Sequence, residues 1–182
     1  MRSLPLPINR RFPKTLLPFL KTLFDIVLLR KGPEHLPRSP VVLMMSIVLW
    51  LFSALFALAL IERFDESDFF LGLFSGLVGI VCYAAIVVMS GQPARLLQTV
   101  SAIVGVGALI TLAFVVEYSV LTPFLGDVSA GLIATLILFW SVPVEGHIIA
   151  RAIDRHWYVG IVIAVGVFIF QYVINLLLTS AP

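Results

Sequence analysis

The residues of this chain with most chemical potential lie together in Trp140-Ser-Val-Pro143-Val-Glu145-Gly-His147, inside a long apolar stretch. A carboxylate and an imidazole at membrane depth are costly, on the order of 3 kcal/mol for a charge at the bilayer centre by insertion scales, and ionisable groups kept there mark proton or ion paths by default. Glu145 lies about six residues before Arg151, roughly 9 Å along a helix axis. That places it below an interface and away from the centre. Glu145 and His147 are two apart and so point to different helix faces, whereas His147 and Arg151 share one. The pair therefore forms neither a metal site nor a general acid–base couple on one helix. Two readings of Glu145 stand: pairing with a polar group on another helix, and a proton, ion or ligand site with His147 nearby. Pro143 removes a backbone donor and is expected to kink or loosen the helix.

Other groups that could do chemistry are sparse. Gln98, Ser101 and Thr111, and farther on Gln171, Tyr172 and Asn175, are expected to hydrogen-bond between helices, such bonds averaging about 0.6 kcal/mol. Gly72, Gly76 and Gly79 give a GxxxG spacing with one further turn, and Ser101/Gly105 and Gly160/Ala164 repeat the small-xxx-small pattern of close helix contact. Cys82 is the single cysteine, so one chain builds no disulfide or thiolate zinc site. Gly105-Val-Gly107 lacks the third glycine and acidic partner of a dinucleotide site, and the sequence has no Walker, Gly-x-Ser-x-Gly or His-Glu-x-x-His pattern. No catalytic residue, cofactor site or metal site is expected, and the reading is of a protein that is not an enzyme.

The elements that must position these residues follow from composition. Hydrophobic residues make up 60% of 182 and charged residues 12%, against roughly 25% charged in a soluble domain. Mean hydropathy is +1.10. Five apolar stretches are long enough to cross about 30 Å of hydrocarbon: 41–61, 69–89, 96–116, 128–149 and 158–178. Ser39-Pro40 starts the first, Ser90-Gly91-Gln92-Pro93 ends the second, and Thr122-Pro123 with Gly126-Asp127 marks the turn after the third. The fold expected is all-α: a polytopic membrane protein with five transmembrane helices.

Charge asymmetry sets the orientation. Arg2, Arg10, Arg11, Lys14, Lys21, Arg30, Lys31, Arg38, Arg95, Arg151 and Arg155 fall on one side and only Arg63 on the other, while Glu62, Asp65, Glu66, Asp68, Glu117 and Asp127 fall largely opposite. The positive-inside rule then predicts a cytoplasmic N-terminus and an outside C-terminus in the inner (cytoplasmic) membrane. The N-terminus lacks the order of a cleavable signal peptide. Residues 1–40 are expected to form a cytoplasmic segment rather than a separate domain. Its Phe19–Arg30 stretch reads as a short amphipathic helix with Leu20, Leu23, Phe24, Val27 and Leu28 on one face and Lys21 and Asp25 paired on the other. That helix either lies in the headgroup layer or packs against the bundle's cytoplasmic end. Arg30–Pro40 follows as a proline-rich connector.

The stretch Phe24-Asp-Ile-Val-Leu-Leu-Arg30-Lys-Gly-Pro33-Glu34-His-Leu36-Pro37-Arg-Ser39-Pro40, with Phe139-Trp140 and Gly146-His147-Ile-Ile-Ala-Arg151 later, resembles bacterial Yip1-like membrane proteins. The resemblance spans nearly the whole chain and implies a cytoplasmic lead-in, five spans and a role in membrane organisation. It supplies no catalytic residue, and the Asp-Leu-Tyr-Gly-Pro signature of the eukaryotic branch is absent. Two functions are thus expected: a scaffold or accessory subunit binding other membrane proteins or a second copy, and, alternatively, a small transporter or channel subunit using Glu145. The lipid bilayer is a partner in both; nucleic acid is a partner in neither.

Overall fold

The computed structural model describes residues 16–61 and 66–179. Arg2, Arg10, Arg11, Lys14, Glu62, Arg63 and Asp65 lie outside them, as do the side chains of Glu66, Asp68 and Asp127. The described chain is all-helical. A short helix α1 (Leu16–Val27) precedes α2 (Pro40–Leu60), α3 (Glu66–Met89), α4 (Leu96–Val116), α5 (Thr122–Ala152) and α6 (Trp157–Thr179). Five segments are long and apolar enough to cross a membrane, with mean hydropathies from 1.7 to 2.6. Only 17% of the α2 window is buried inside the bundle. Its remaining apolar surface is stabilised only where the surroundings are themselves apolar.

Local chemistry explains where the helices begin and end. Ser39 caps α2, its Oγ accepting from Val41 N at 3.2 Å, with Pro40 in the first turn where its missing donor costs nothing. Gly91 after α3 and Gly126 both take φ of +75°, the left-handed region open to glycine, and mark two reversals of direction. The sequence pattern puts the turn after the third span over Thr122-Pro123 and Gly126-Asp127; in the structure the chain turns at Gly126 and stays helical through Thr122-Pro123. Helix α4 runs on through a widened turn over Glu117–Leu121, in which Thr122 N and Oγ1 both donate to the Glu117 carbonyl. Pro123 lacks a donor and crowds the carbonyl four residues back; a π-type turn immediately before it absorbs both problems, so the proline ends nothing. Pro143 likewise leaves α5 continuous, and Gly126 is where that element departs from helical dihedrals.

Helix pairs close on small residues. Gly146 of α5 faces the backbone of α6: a Cβ there would sit 2.9 Å from Ile161 N and Cα, and one on Gly160 would strike the Gly146 carbonyl and lie 2.7 Å from Ala150 Cβ. Ala164, one turn on, is fully buried. The 72–76–79 glycines behave differently from one another. Gly76 packs on Trp50 and Gly79 on Gln171, while Gly72 faces open space.

The short α1 packs against α4 and α5. It buries Phe19, Leu23 and Ile26, and Leu23 fills the space over Gly105, whose Cβ would lie 2.8 Å from Leu23 Cδ1. Gly105 is about ten residues into α4, roughly 15 Å along its axis. The expected face is therefore rotated: Phe24 and Leu28 are exposed, and Phe19 and Ile26 take their places in the core. Asp25 pairs with Lys31 at 2.7 Å instead of with Lys21. The chain reverses after α1 at Leu29, in left-handed conformation, and this brings Lys31 back over the helix end.

These contacts predict that Gly146→Ala and Gly160→Ala each destabilise the folded chain by about 1–3 kcal/mol through overpacking. Gly72→Ala is expected to be neutral or slightly stabilising. Unfolding in mild detergent titrated with SDS checks this; equal effects at all three positions would refute the assigned α5–α6 contact.

Candidate functional site

The residues singled out around Trp140 are separated by the helix into two faces with two tasks. Trp140, His147 and Arg151 are seven and four residues apart, which returns them to one stripe of α5. All three hold the N-terminal segment. Trp140 Nε1 donates to the Val27 carbonyl at 3.1 Å, His147 Nε2 lies 3.2 Å from the Lys31 carbonyl, and Arg151 Nε donates to Glu34 Oε1 at 3.0 Å while its Nη2 reaches the same oxygen. A carbonyl only accepts, so His147 carries its proton on Nε2. Val27, Lys31 and Glu34 follow the stripe in order, and the segment descends along α5 towards the end of the bundle where the arginines gather.

This arrangement completes the accounting of helix-end carbonyls, four of which have no intrahelical partner at each C-terminus. At the end of α1, Phe24 O accepts from Leu28 N, Asp25 O from Arg30 N and Lys31 N, Ile26 O from Leu29 N, and Val27 O from Trp140. At the end of α5, Ile149 O and Ala150 O accept from Ile153 N and Arg155 N, the latter closing over Asp154 in left-handed conformation. Arg151 O and Ala152 O accept from Arg95 Nη1 at 2.9 and 3.2 Å. A guanidinium at the negative end of a helix also suits its dipole.

Gln98, buried at the start of α4, fixes the next part of the connector. Its Nε2 donates to Leu36 O at 2.6 Å, and its Oε1 accepts from Arg38 Nε at 3.0 Å. Gln98 thus binds the connector, not a neighbouring helix. Ser101 and Thr111 also differ from expectation: each hydroxyl donates to the carbonyl four residues back, satisfying itself within α4. Gln171 and Asn175 do bridge helices, donating to Ser75 O at 2.7 Å and to Ser75 Oγ at 3.3 Å.

Glu145 faces away from the stripe. Its Oε2 accepts from Tyr83 Oη at 2.6 Å, and Tyr83, on α3, is only 2% exposed. The structure therefore gives Glu145 a partner on another helix and places His147 with the connector; the two do not converge. Tyr83 escaped the sequence reading, yet a signal was there. It lies about six residues before the end of α3, as Glu145 lies about six before Arg151, so the two match in depth. Glu117 was also missed as a buried group. It is 5% exposed in the widened turn, its Oε1 is without a hydrogen-bond partner, and it borders an apolar groove with Phe24, Leu109 and Ile137. Among the described residues no cluster of three or more His, Cys, Asp and Glu could hold a metal ion.

Outside the spans, charge follows contact. Burial works against ionisation of Glu34, but its hydrogen bond from Arg151 and the charges nearby outweigh this and hold the carboxyl below its ordinary 4.5. The hydrogen bond from Lys31 holds Asp25 below its ordinary 3.8. Comparison with protein-family models, with curated proteins and with solved structures yields no match.

Two outcomes are expected. Tyr83→Phe leaves the partly buried Glu145 side chain without its donor and costs about 1–3 kcal/mol, whereas Glu145→Gln keeps an acceptor for the hydroxyl and costs less; equal losses in SDS unfolding would show that this bond does not join α3 to α5. Because the Glu34 carboxyl is depressed, its pairing stabilises above the ordinary 4.5 and is lost as pH falls through the depressed value. The unfolding midpoint of wild type should therefore drop on acidification by more than that of Glu34→Gln, and parallel profiles would contradict the pairing.

Proposed function

We propose that this chain is a multi-pass protein of the inner membrane, cytoplasmic at its N-terminus and external at its C-terminus, serving as a non-enzymatic scaffold or accessory subunit for other membrane proteins. The observation that carries this reading is the Tyr83–Glu145 hydrogen bond, which gives the carboxylate an interhelical role. His147 is engaged by a backbone carbonyl in the same way. With these groups used internally, what the bundle offers outward is apolar surface, from Val48, Phe52 and Leu55 on α2 to Ile169, Leu176 and Leu177 on α6. Such a surface suits lipid, a partner membrane protein or a second copy of the chain. The basic residues gathered at one end, Arg38, Arg95, Arg151 and Arg155, support a cytoplasmic location for that end. Helix α1 adds Leu17, Phe24 and Leu28 to this outward apolar surface. The connector that carries the Yip1-like resemblance is the segment tied down by α4 and α5, and membership of that family is part of the proposal.

Native mass spectrometry of the chain released from membrane-derived nanodiscs tests the role. A stoichiometric complex with another integral membrane protein, or a defined homo-oligomer, is expected; bare monomer in every preparation would overturn it. Proteoliposomes are expected to show no ion or proton flux that Glu145→Gln abolishes. In a Cys82→Ala background, an impermeant maleimide should label Ser90→Cys from the cytoplasm and Thr179→Cys from outside; the reverse pattern would overturn the topology.

A further inference from the structure

At the arginine-rich end of the bundle the connector, the start of α4 and the end of α5 border a half-open cavity of about 340 Å³ lined by Glu34, Arg38, Arg95, Arg151, Asp154 and Arg155, with Gln98 at its wall. That volume is at the lower end of the range for small-ligand sites. Four guanidiniums face two carboxylates: Arg38 from the connector, Arg95 from the short turn before α4, Arg151 from the last turn of α5 and Arg155 from the loop that follows it. Three are also oriented by hydrogen bonds already described, Arg38 through Nε on Gln98, Arg95 through Nη1 on the last carbonyls of α5, and Arg151 through Nε and Nη2 on Glu34. A guanidinium carries five N–H donors. Each of these three therefore keeps donors beyond those its protein partner uses, on side chains that have already lost much of their rotamer freedom. Preorganised, forked donors around an excess of positive charge are the chemistry that recognises phosphate oxygens.

We propose that this cavity is a binding site for an anionic phosphate group. Two sources share that chemistry: the phosphodiester of an anionic phospholipid, reached laterally from the leaflet, and a free phosphate or phosphomonoester from the aqueous side. The cavity lies where the start of α4 and the end of α5 meet the basic connector, the level at which lipid phosphates sit if this end is at the membrane surface. Asp154 and Glu34 set a limit on the ligand: Glu34 is occupied by Arg151, and Asp154 disfavours a highly charged polyphosphate.

The test uses the full chain purified in a neutral detergent. Thermal unfolding is followed while short-chain phosphatidylglycerol, inorganic phosphate or glycerol 3-phosphate is added, with short-chain phosphatidylcholine and sodium chloride at matched ionic strength as controls. Saturable stabilisation by phosphatidylglycerol alone identifies a lipid site; saturable stabilisation by the soluble phosphates as well identifies a site open to water. Arg155→Gln, which leaves every hydrogen bond described above in place, should weaken the apparent affinity about tenfold, and Arg155→Lys should restore part of it. Arg38→Gln is the second variant if Arg155→Gln does not fold. Stabilisation by none of the phosphates beyond the controls, or wild-type affinity in both glutamine variants, would overturn the proposal.

Discussion

The carbonyl groups at the end of α1 impose the constraint on which the rest of the structure depends. A helix of twelve residues ends with four carbonyls that have no partner within the helix, and each finds a donor. Three are met by the chain's own reversal through Leu29. The fourth, on Val27, is met by the indole of Trp140 from α5. Once that contact is made, the direction of the following segment is set, and His147 and Arg151 lie on the same stripe to receive Lys31 and Glu34. The N-terminal segment is thus a structural part of the bundle, held by side chains that are polar because they have backbone and carboxylate groups to satisfy.

The other contacts divide the remaining work. Small residues bring α5 and α6 together so closely that backbone meets backbone at Gly146 and Gly160. Helix α3 has fewer such surfaces. It is held by polar bonds at two levels, Tyr83 to Glu145 on α5 and Ser75 to Gln171 and Asn175 on α6. In an apolar surrounding each bond is worth on the order of 0.6 kcal/mol, so none alone fixes the helix, but their separation along α3 fixes its register. The outward surface is then left almost entirely apolar.

The helical class and the five long apolar helices were legible from composition and run length, because a span is a property of some twenty consecutive residues. The separation of Glu145 from His147 was legible too, since it follows from helical periodicity alone. What could not be read depended on partners distant in sequence. The rotation of α1 comes from Leu23 entering the space over Gly105, and nothing within α1 announces a glycine eighty residues on. The continuation of α4 past Thr122-Pro123 requires a widened turn, which leaves no compositional trace. Gln98 looked like a helix-to-helix group by depth and instead reads the connector, because Leu36 and Arg38 reach it first. Tyr83 was recoverable by matching depths across α3 and α5, a rule that applies wherever a buried carboxylate needs a donor.

The central claim is that residues 27–38 are held to the bundle by the stripe on α5 and by Gln98. Hydrogen exchange of the chain in nanodiscs tests it directly, comparing wild type with the Gln98→Ala, Arg151→Ala double variant. Amides of Arg30, Lys31, His35 and Leu36 should exchange slowly in wild type and at least tenfold faster in the variant, while amides within α4 and α6 keep their protection. Fast exchange of these amides in the wild-type protein, or equal rates in the two, would contradict the account.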